Sequence, residues 1–227
     1  MRDNAVRGIA ITDKAGRSAG GILLVATLLE ILAMAHHPSV GTPDIAQAAL
    51  QIVRFSKFAA LIHCVLMALM LLVVYGFSEF SLRRGLGRPL IRAGAIAYGA
   101  GVIAMLGAAL VSGFVLPDLA SLTRHVTAID LQINEQLFVL CRVLNQTCAS
   151  FAVVAMSVGI VLWSIDLLRD SGSRRMVAVL GLLAGAIPAA ALLGGWLHLD
   201  VHGMTQVSVL QGCWNLAVAV LLMRASL

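Results

Sequence analysis

Residues Phe58–Phe77 read FAALIHCVLMALMLLVVYGF, twenty consecutive residues with no Asp, Glu, Lys or Arg and a single histidine, His63. At 1.5 Å per residue a helix of this length covers about 30 Å, the hydrocarbon thickness of a bilayer. Lipid offers the backbone no hydrogen bonds, so a run of this kind must be a helix that satisfies itself. It is the second of six such runs.

The others are Gly20–Ala35, Leu90–Leu116, Leu137–Leu167, Met176–Leu199 and Met204–Met223. Across 227 residues the chain is 60% hydrophobic and 12% charged, with a mean hydropathy of +0.95. Eleven acids and sixteen bases are too few to cover the surface of a soluble domain of this size. The fold class is therefore all-α: a polytopic membrane protein of six transmembrane helices. Residues 1–18 form a polar N-terminal tail, and 19–227 a single transmembrane domain. Leu119, Leu122, Val126, Ile129 and Ile133 recur at helical spacing within 117–135. That predicts an amphipathic extracytoplasmic helix or an extension of a spanning one, with Asp118, Ser121 and His125 on its polar face.

Local signals mark the span ends. Pro38 stops the first helix, which Glu30 inside its apolar run marks as a retained span rather than a cleaved signal. Thr42-Pro43-Asp44 is a helix start. Gly94, Gly99, Gly101, Gly107 and Gly113 in the third span, and Gly181 with Gly185 in the fifth, allow close helix packing, and Pro188 predicts a kink. Cys64, Cys141, Cys148 and Cys213 lie in apolar segments without a C-x-x-C pair and read as buried thiols.

The net charge of +5 does not indicate nucleic acid, because the bases cluster between apolar runs without interleaved aromatics. Twelve of the sixteen lie in the N-terminal tail, in Arg83–Arg92, in Arg169–Arg175 and at Arg224. By the positive-inside rule both termini are cytoplasmic, in a bacterial inner membrane. With that topology all six histidines fall on the extracytoplasmic half. His36 and His37 end helix one, His63 begins helix two, His125 sits in the long loop, and His198 and His202 flank the last turn.

Leu197-His198-Leu199-Asp200-Val201-His202-Gly203 places two histidines four residues apart, on one face if the turn is helical. Such a pair, with His36, His37, His63 and Asp200, makes a candidate transition-metal site, zinc favoured over copper. Glu30, His63 and Arg142 each lie about 10 Å below a helix end. Intramembrane ionisable groups face the bundle interior, so the three are expected to meet there. Glu30 is the candidate general base and Arg142 the candidate anchor for an anionic group. Asn145, Gln146, Gln206 and Gln211 extend a polar pocket floored by Met67, Leu71 and Phe151. Plainer roles are open for each: His36 and His37 as caps of helix one, His198 and His202 as interfacial side chains, and Glu30 with Arg142 as a structural ion pair.

Arg17–Gly21 at the entry to helix one, Arg54 ahead of an Ala/Leu-rich helix two, and an Arg-rich turn before Val179–Leu183 resemble an uncharacterised family of six-helix bacterial integral membrane proteins. The His198/His202 spacing resembles the H-x-x-x-H element of intramembrane zinc hydrolases of the alkaline ceramidase and adiponectin receptor type. That resemblance implies zinc and a lipid-like substrate.

The reading that follows is a membrane protein whose histidine cluster binds a metal above a Glu/His/Arg pocket, a metal-dependent hydrolase if it is an enzyme. The alternatives are a transporter or a small-molecule- or haem-binding protein, and a non-catalytic structural subunit. Expected partners are the bilayer, a lipid-like or small anionic ligand and a second copy of the chain, but no nucleic acid. Haem ranks below metal because no second histidine is expected to face His63 at matching depth. A full transport pathway is disfavoured because the inner helix halves read as almost free of polar residues.

Overall fold

The computed structural model describes residues 2–38, 45–122 and 128–225, and the side chains among them other than those of 2–13, 45–46 and 128–131. Every regular element there is a helix: α1 (Arg2–Ala35), α2 (Ile45–Arg84), α3 (Pro89–Leu110), α4 (Leu116–Leu122), α5 (Ala128–Leu167), α6 (Ser173–Leu193) and α7 (Val201–Met223). A five-residue π-turn, Val111–Val115, joins α3 to α4, so the two make one span. Among the described residues six helices are long and apolar enough to cross a membrane. The protein is an all-α polytopic membrane protein.

Three boundaries differ from the sequence expectation. Residues 2–18, expected as a tail, continue α1 as helix. The fourth span begins nine residues earlier than expected, so the amphipathic stretch divides between α4 and the start of α5, and residues 123–127, with His125, lie outside the described ones. The fifth span runs on as helix through Pro188 but ends at Leu193. Gly195, at φ +74, turns the chain out of it, and 196–199 are not helical.

Consecutive spans touch, and α7 packs back on α1, so the six close into a ring. Small residues set the closest contacts. Gly94 and Gly101 of α3 lie against α5, where added Cβ atoms would come 2.8 Å from Trp163 and 2.6 Å from Met156. Gly20 seats α1 on α7, and Gly185 seats α6 on α5. Gly99 and Gly107 have nothing within 4 Å, so they take no part in packing. The expectation of a glycine-packed third span holds for one face of it only.

One end of the ring is filled. Phe77, Tyr98, Trp163 and Trp214 stack there with ring centroids 5.0–6.0 Å apart. Beyond them Arg84 Nε donates to Asp166 at 3.0 Å and Arg84 Nη1 to Asp170 at 2.6 Å, while Arg88 reaches Asp166 at 3.2 Å. The Arg84 and Asp166 side chains are 4% and 1% exposed. These helix halves, expected to be nearly free of polar residues, also bury Ser81, Ser157 and Ser164. The arginine turn therefore contributes to a buried ion-pair network. Cys64 and Cys213, expected buried, are exposed, which in a spanning helix means they face lipid.

Candidate functional site

The other end of the ring is hollow. A cavity of about 560 Å³ opens there, lined by every span except α6. On α2 its lining runs from Gln51 to Met70, and on α7 from Val201 to Asn215. At 1.5 Å per residue those stretches measure about 28 Å and about 21 Å. The walls are mostly aliphatic and rich in methionine, with Met67, Met70, Met105 and Met156 among them. Leu71 and Phe151, expected in the floor, are more than half exposed and point outward.

Of the residues singled out from sequence, Glu30, His37, His63, Asn145, Gln146, Asp200, His202 and Gln211 line this cavity. Arg142 does not. It is exposed, is absent from the lining, and has no ion-pair partner among the described residues. The expected meeting of Glu30, His63 and Arg142 is thus corrected: α2 begins at Ile45 and α5 at Ala128, so His63 and Arg142 lie farther along their helices than expected, and the rotation of α5 about its axis turns Arg142 away. Gln206 is likewise exposed and off the lining.

The metal set does not assemble as expected. His198 lies in the non-helical segment before α7 and His202 in the first turn of α7, so they do not share a helix face. Asp200 is the N-cap of α7, its Oδ1 accepting the Gly203 N–H at 2.8 Å, which is the usual work of an aspartate at that position. His36 caps α1 by donating from Nδ1 to the Leu32 carbonyl at 2.9 Å. Among the described residues no group of three or more His, Cys, Asp or Glu side chains is placed to hold a metal ion.

What the fold does bring together is His37 and His63. Their Nε2 atoms are 3.3 Å apart, with the rings edge to face. This overturns the expectation that no histidine faces His63. Each Nδ1 lies against a carbonyl, that of Pro38 at 2.9 Å for His37 and that of Ala59 at 2.7 Å for His63. A carbonyl can only accept, so both Nδ1 atoms carry hydrogen and, in neutral rings, both Nε2 atoms present lone pairs. Ser112 Oγ stands 2.8 Å from His63 Nε2 and 2.9 Å from the Ala108 carbonyl, one hydroxyl proton facing two acceptors. Burial first, and then the charge of His63, hold the His37 imidazole below its ordinary range.

The π-turn makes this contact. Pro117 has no N–H to give the Gly113 carbonyl, and its ring would crowd that carbonyl in a regular helix. Widening the preceding turn relieves the crowding, and the Leu116 N–H then reaches back to Val111. The same turn carries Ser112 and Gly113. A Cβ on Gly113 would lie 2.6 Å from His63 Cβ and Cγ, so only glycine lets the imidazole in. Pro117 and Gly113 are visible in sequence, but their joint effect on a histidine some fifty residues away is not.

Deeper in the cavity lie polar groups that sequence reading missed. Thr27 of α1 and Asn215 of α7 line it at 1% and 6% exposure. Thr27 Oγ1 and Asn215 Oδ1 have no hydrogen-bond partner. Glu30, one turn along α1 from Thr27, is half-buried and has no ion-pair or hydrogen-bond partner among the described residues. Gln211 is satisfied, donating to Ser157 Oγ at 3.1 Å.

No protein-family model, curated protein or solved structure matches the chain. The site is accordingly read from its own chemistry.

Proposed function

We propose that the protein binds a small amphipathic molecule inside the membrane, as a receptor or as the binding half of a transporter. One observation carries this reading: a single cavity of about 560 Å³ joins an apolar wall to unpartnered polar groups. Ligand sites are typically concave, mostly apolar and supplied with a few oriented polar groups. Each unpartnered buried polar group costs about 1–3 kcal/mol, and Thr27 Oγ1 and Asn215 Oδ1 differ from the unpartnered Ser81 Oγ, Ser164 Oγ and Trp214 Nε1 of the filled end in lining open space that a ligand can enter. The test is photo-crosslinking of the protein in nanodiscs with a diazirine-bearing dodecanol, mapped by mass spectrometry. Labelling of Met67, Met105 and Met156 that excess dodecanol competes away is expected. Labelling confined to outward positions such as Ile96 and Ile103, with no competition, would refute the reading.

A second reading is supported by the histidine pair alone. Zinc–nitrogen bonds of about 2.0–2.1 Å at a tetrahedral angle separate two nitrogens by about 3.3–3.4 Å, and the two Nε2 atoms lie 3.3 Å apart. A zinc or copper ion held by His37 and His63, its remaining positions filled by water or by a ligand in the cavity, satisfies both nitrogens. Purified protein then retains metal, and His37→Ala loses it. Metal-free protein whose melting temperature ignores added zinc rules the ion out.

A further inference from the structure

Resting on the cavity reading above, we infer that its inner end selects the cationic head of a lipophilic amine, with Glu30 as the counter-charge. Among the described residues the lining contains no lysine or arginine, its basic side chains are His37, His63 and His202, and its two carboxylates are Glu30 and Asp200. Asp200 is engaged in capping α7. Glu30 is left as an intramembrane acid without a protein cation, an arrangement that is expensive unless something else brings the positive charge.

The neighbouring unpartnered atoms point the same way. Thr27 and Glu30 are three residues apart and so share a face of α1. Gly212 places α7 against that face: a Cβ there would lie 2.7 Å from Ile31 and 3.4 Å from Thr27 Cγ2. Asn215 follows Gly212 by three residues on α7, so it stands on the same side of that helix. Thr27 Oγ1, Asn215 Oδ1 and the Glu30 carboxylate can all accept hydrogen bonds. A primary ammonium group has three N–H donors to offer. The methionine-rich wall then takes the hydrocarbon, soft side chains that adapt to varied shapes. An anionic head is disfavoured, since the base that would have received it, Arg142, lies outside the lining.

The experiment is isothermal titration of the full chain in nanodiscs, corrected with empty nanodiscs, using dodecylammonium, dodecanol and laurate, which share a chain and differ in head group. Wild-type protein is expected to bind dodecylammonium at least tenfold more tightly than either of the others. Glu30→Gln should remove that preference, bringing dodecylammonium down to the affinity of dodecanol, while Arg142→Ala, outside the lining, keeps it. Thr27→Val, a milder change, should cut the preference severalfold and serves if Glu30→Gln does not fold. A preference for ammonium that survives Glu30→Gln, or Thr27→Val where that variant serves, overturns the inference, as does tighter binding of laurate or equal binding of all three; the cavity reading stands in each case. If no chain binds beyond empty nanodiscs, the cavity reading itself falls.

Discussion

The two ends of the helix ring solve the problem of polar groups in a membrane in opposite ways. At the arginine end every buried charge is met by another: Arg84 lies between Asp166 and Asp170, and Arg88 closes on Asp166. Stacked rings fill the space above them. At the histidine end Glu30, Thr27 and Asn215 line a cavity, and among the described residues the Glu30 carboxylate, Thr27 Oγ1 and Asn215 Oδ1 have no hydrogen-bond or ion-pair partner. Paired charges are thus concentrated where the ring is closed, and open space where it is hollow. Unpartnered neutral groups occur at both ends, Ser81 Oγ, Ser164 Oγ and Trp214 Nε1 at the filled one and Thr27 Oγ1 and Asn215 Oδ1 at the hollow one; the contrast lies in the charges, paired at one end and facing a cavity at the other.

If that division is right, the most damaging substitution is at the filled end. Arg84→Ala strips Asp166 of its closest partner, and breaking a buried pair from one side costs about 3–5 kcal/mol. The lower part of that range is expected, since Arg88 remains within 3.2 Å of Asp166. Thermal denaturation in detergent measures it, and replacing Arg84 by Met together with Asp166 by Leu should recover part of the loss. A melting temperature unmoved by Arg84→Ala would mean that the network is not what closes the ring.

Packing at the same end predicts the next effect. Gly181 of α6 leaves room for Ser164 and Trp214, which a Cβ there would strike. Gly181→Val is therefore expected to cost about 1–3 kcal/mol by overpacking, read again from the melting temperature. Gly99→Val, at a position with nothing within 4 Å, is the control and should leave stability within about 0.5 kcal/mol.

At the hollow end the same measurement should give almost nothing. Glu30→Gln removes a charge that no protein group compensates, so the melting temperature without ligand should stay level or rise, within about 0.5 kcal/mol of wild type. A loss comparable to that of Arg84→Ala would show that Glu30 has a protein partner after all and would erase the contrast between the two ends.

The sequence carried the spans on which these groups sit and little of the direction in which they face. Six apolar runs with arginine turns between them define the spans, because hydropathy and length suffice for that. Glu30, His63 and Arg142 were all placed at one level from their distances to helix ends. In helices apolar on every side, however, nothing in the pattern tells which face turns inward. Arg142 points out while Glu30 lines the cavity for that reason. The His37–His63 contact depends on a stop at Pro38 and on a π-turn over residues 111–115 of another helix, a tertiary effect without local periodicity. Asp166 reads as an ordinary charge near a span end until α2 is seen to bring Arg84 beside it.

The smallest expected effect concerns pH, and it sharpens the account of the histidine pair. The folded protein holds the His37 imidazole below the ordinary value of 6.5, through burial first and the nearby charge of His63 second. Its neutral form is therefore favoured by folding, and between the lowered value and 6.5 the unfolded chain binds more protons than the folded one. Stability from this group is complete above pH 6.5 and declines as the pH falls below it. Melting curves taken from pH 7.5 down to pH 5 should show wild type losing slightly more stability than His37→Gln, which has no imidazole to titrate. If the difference instead grows in favour of wild type on acidification, the pair binds a proton more tightly when folded. The two Nε2 atoms, 3.3 Å apart, would then be a shared-proton site instead of two facing lone pairs, and the case for a bridging metal ion would weaken with them.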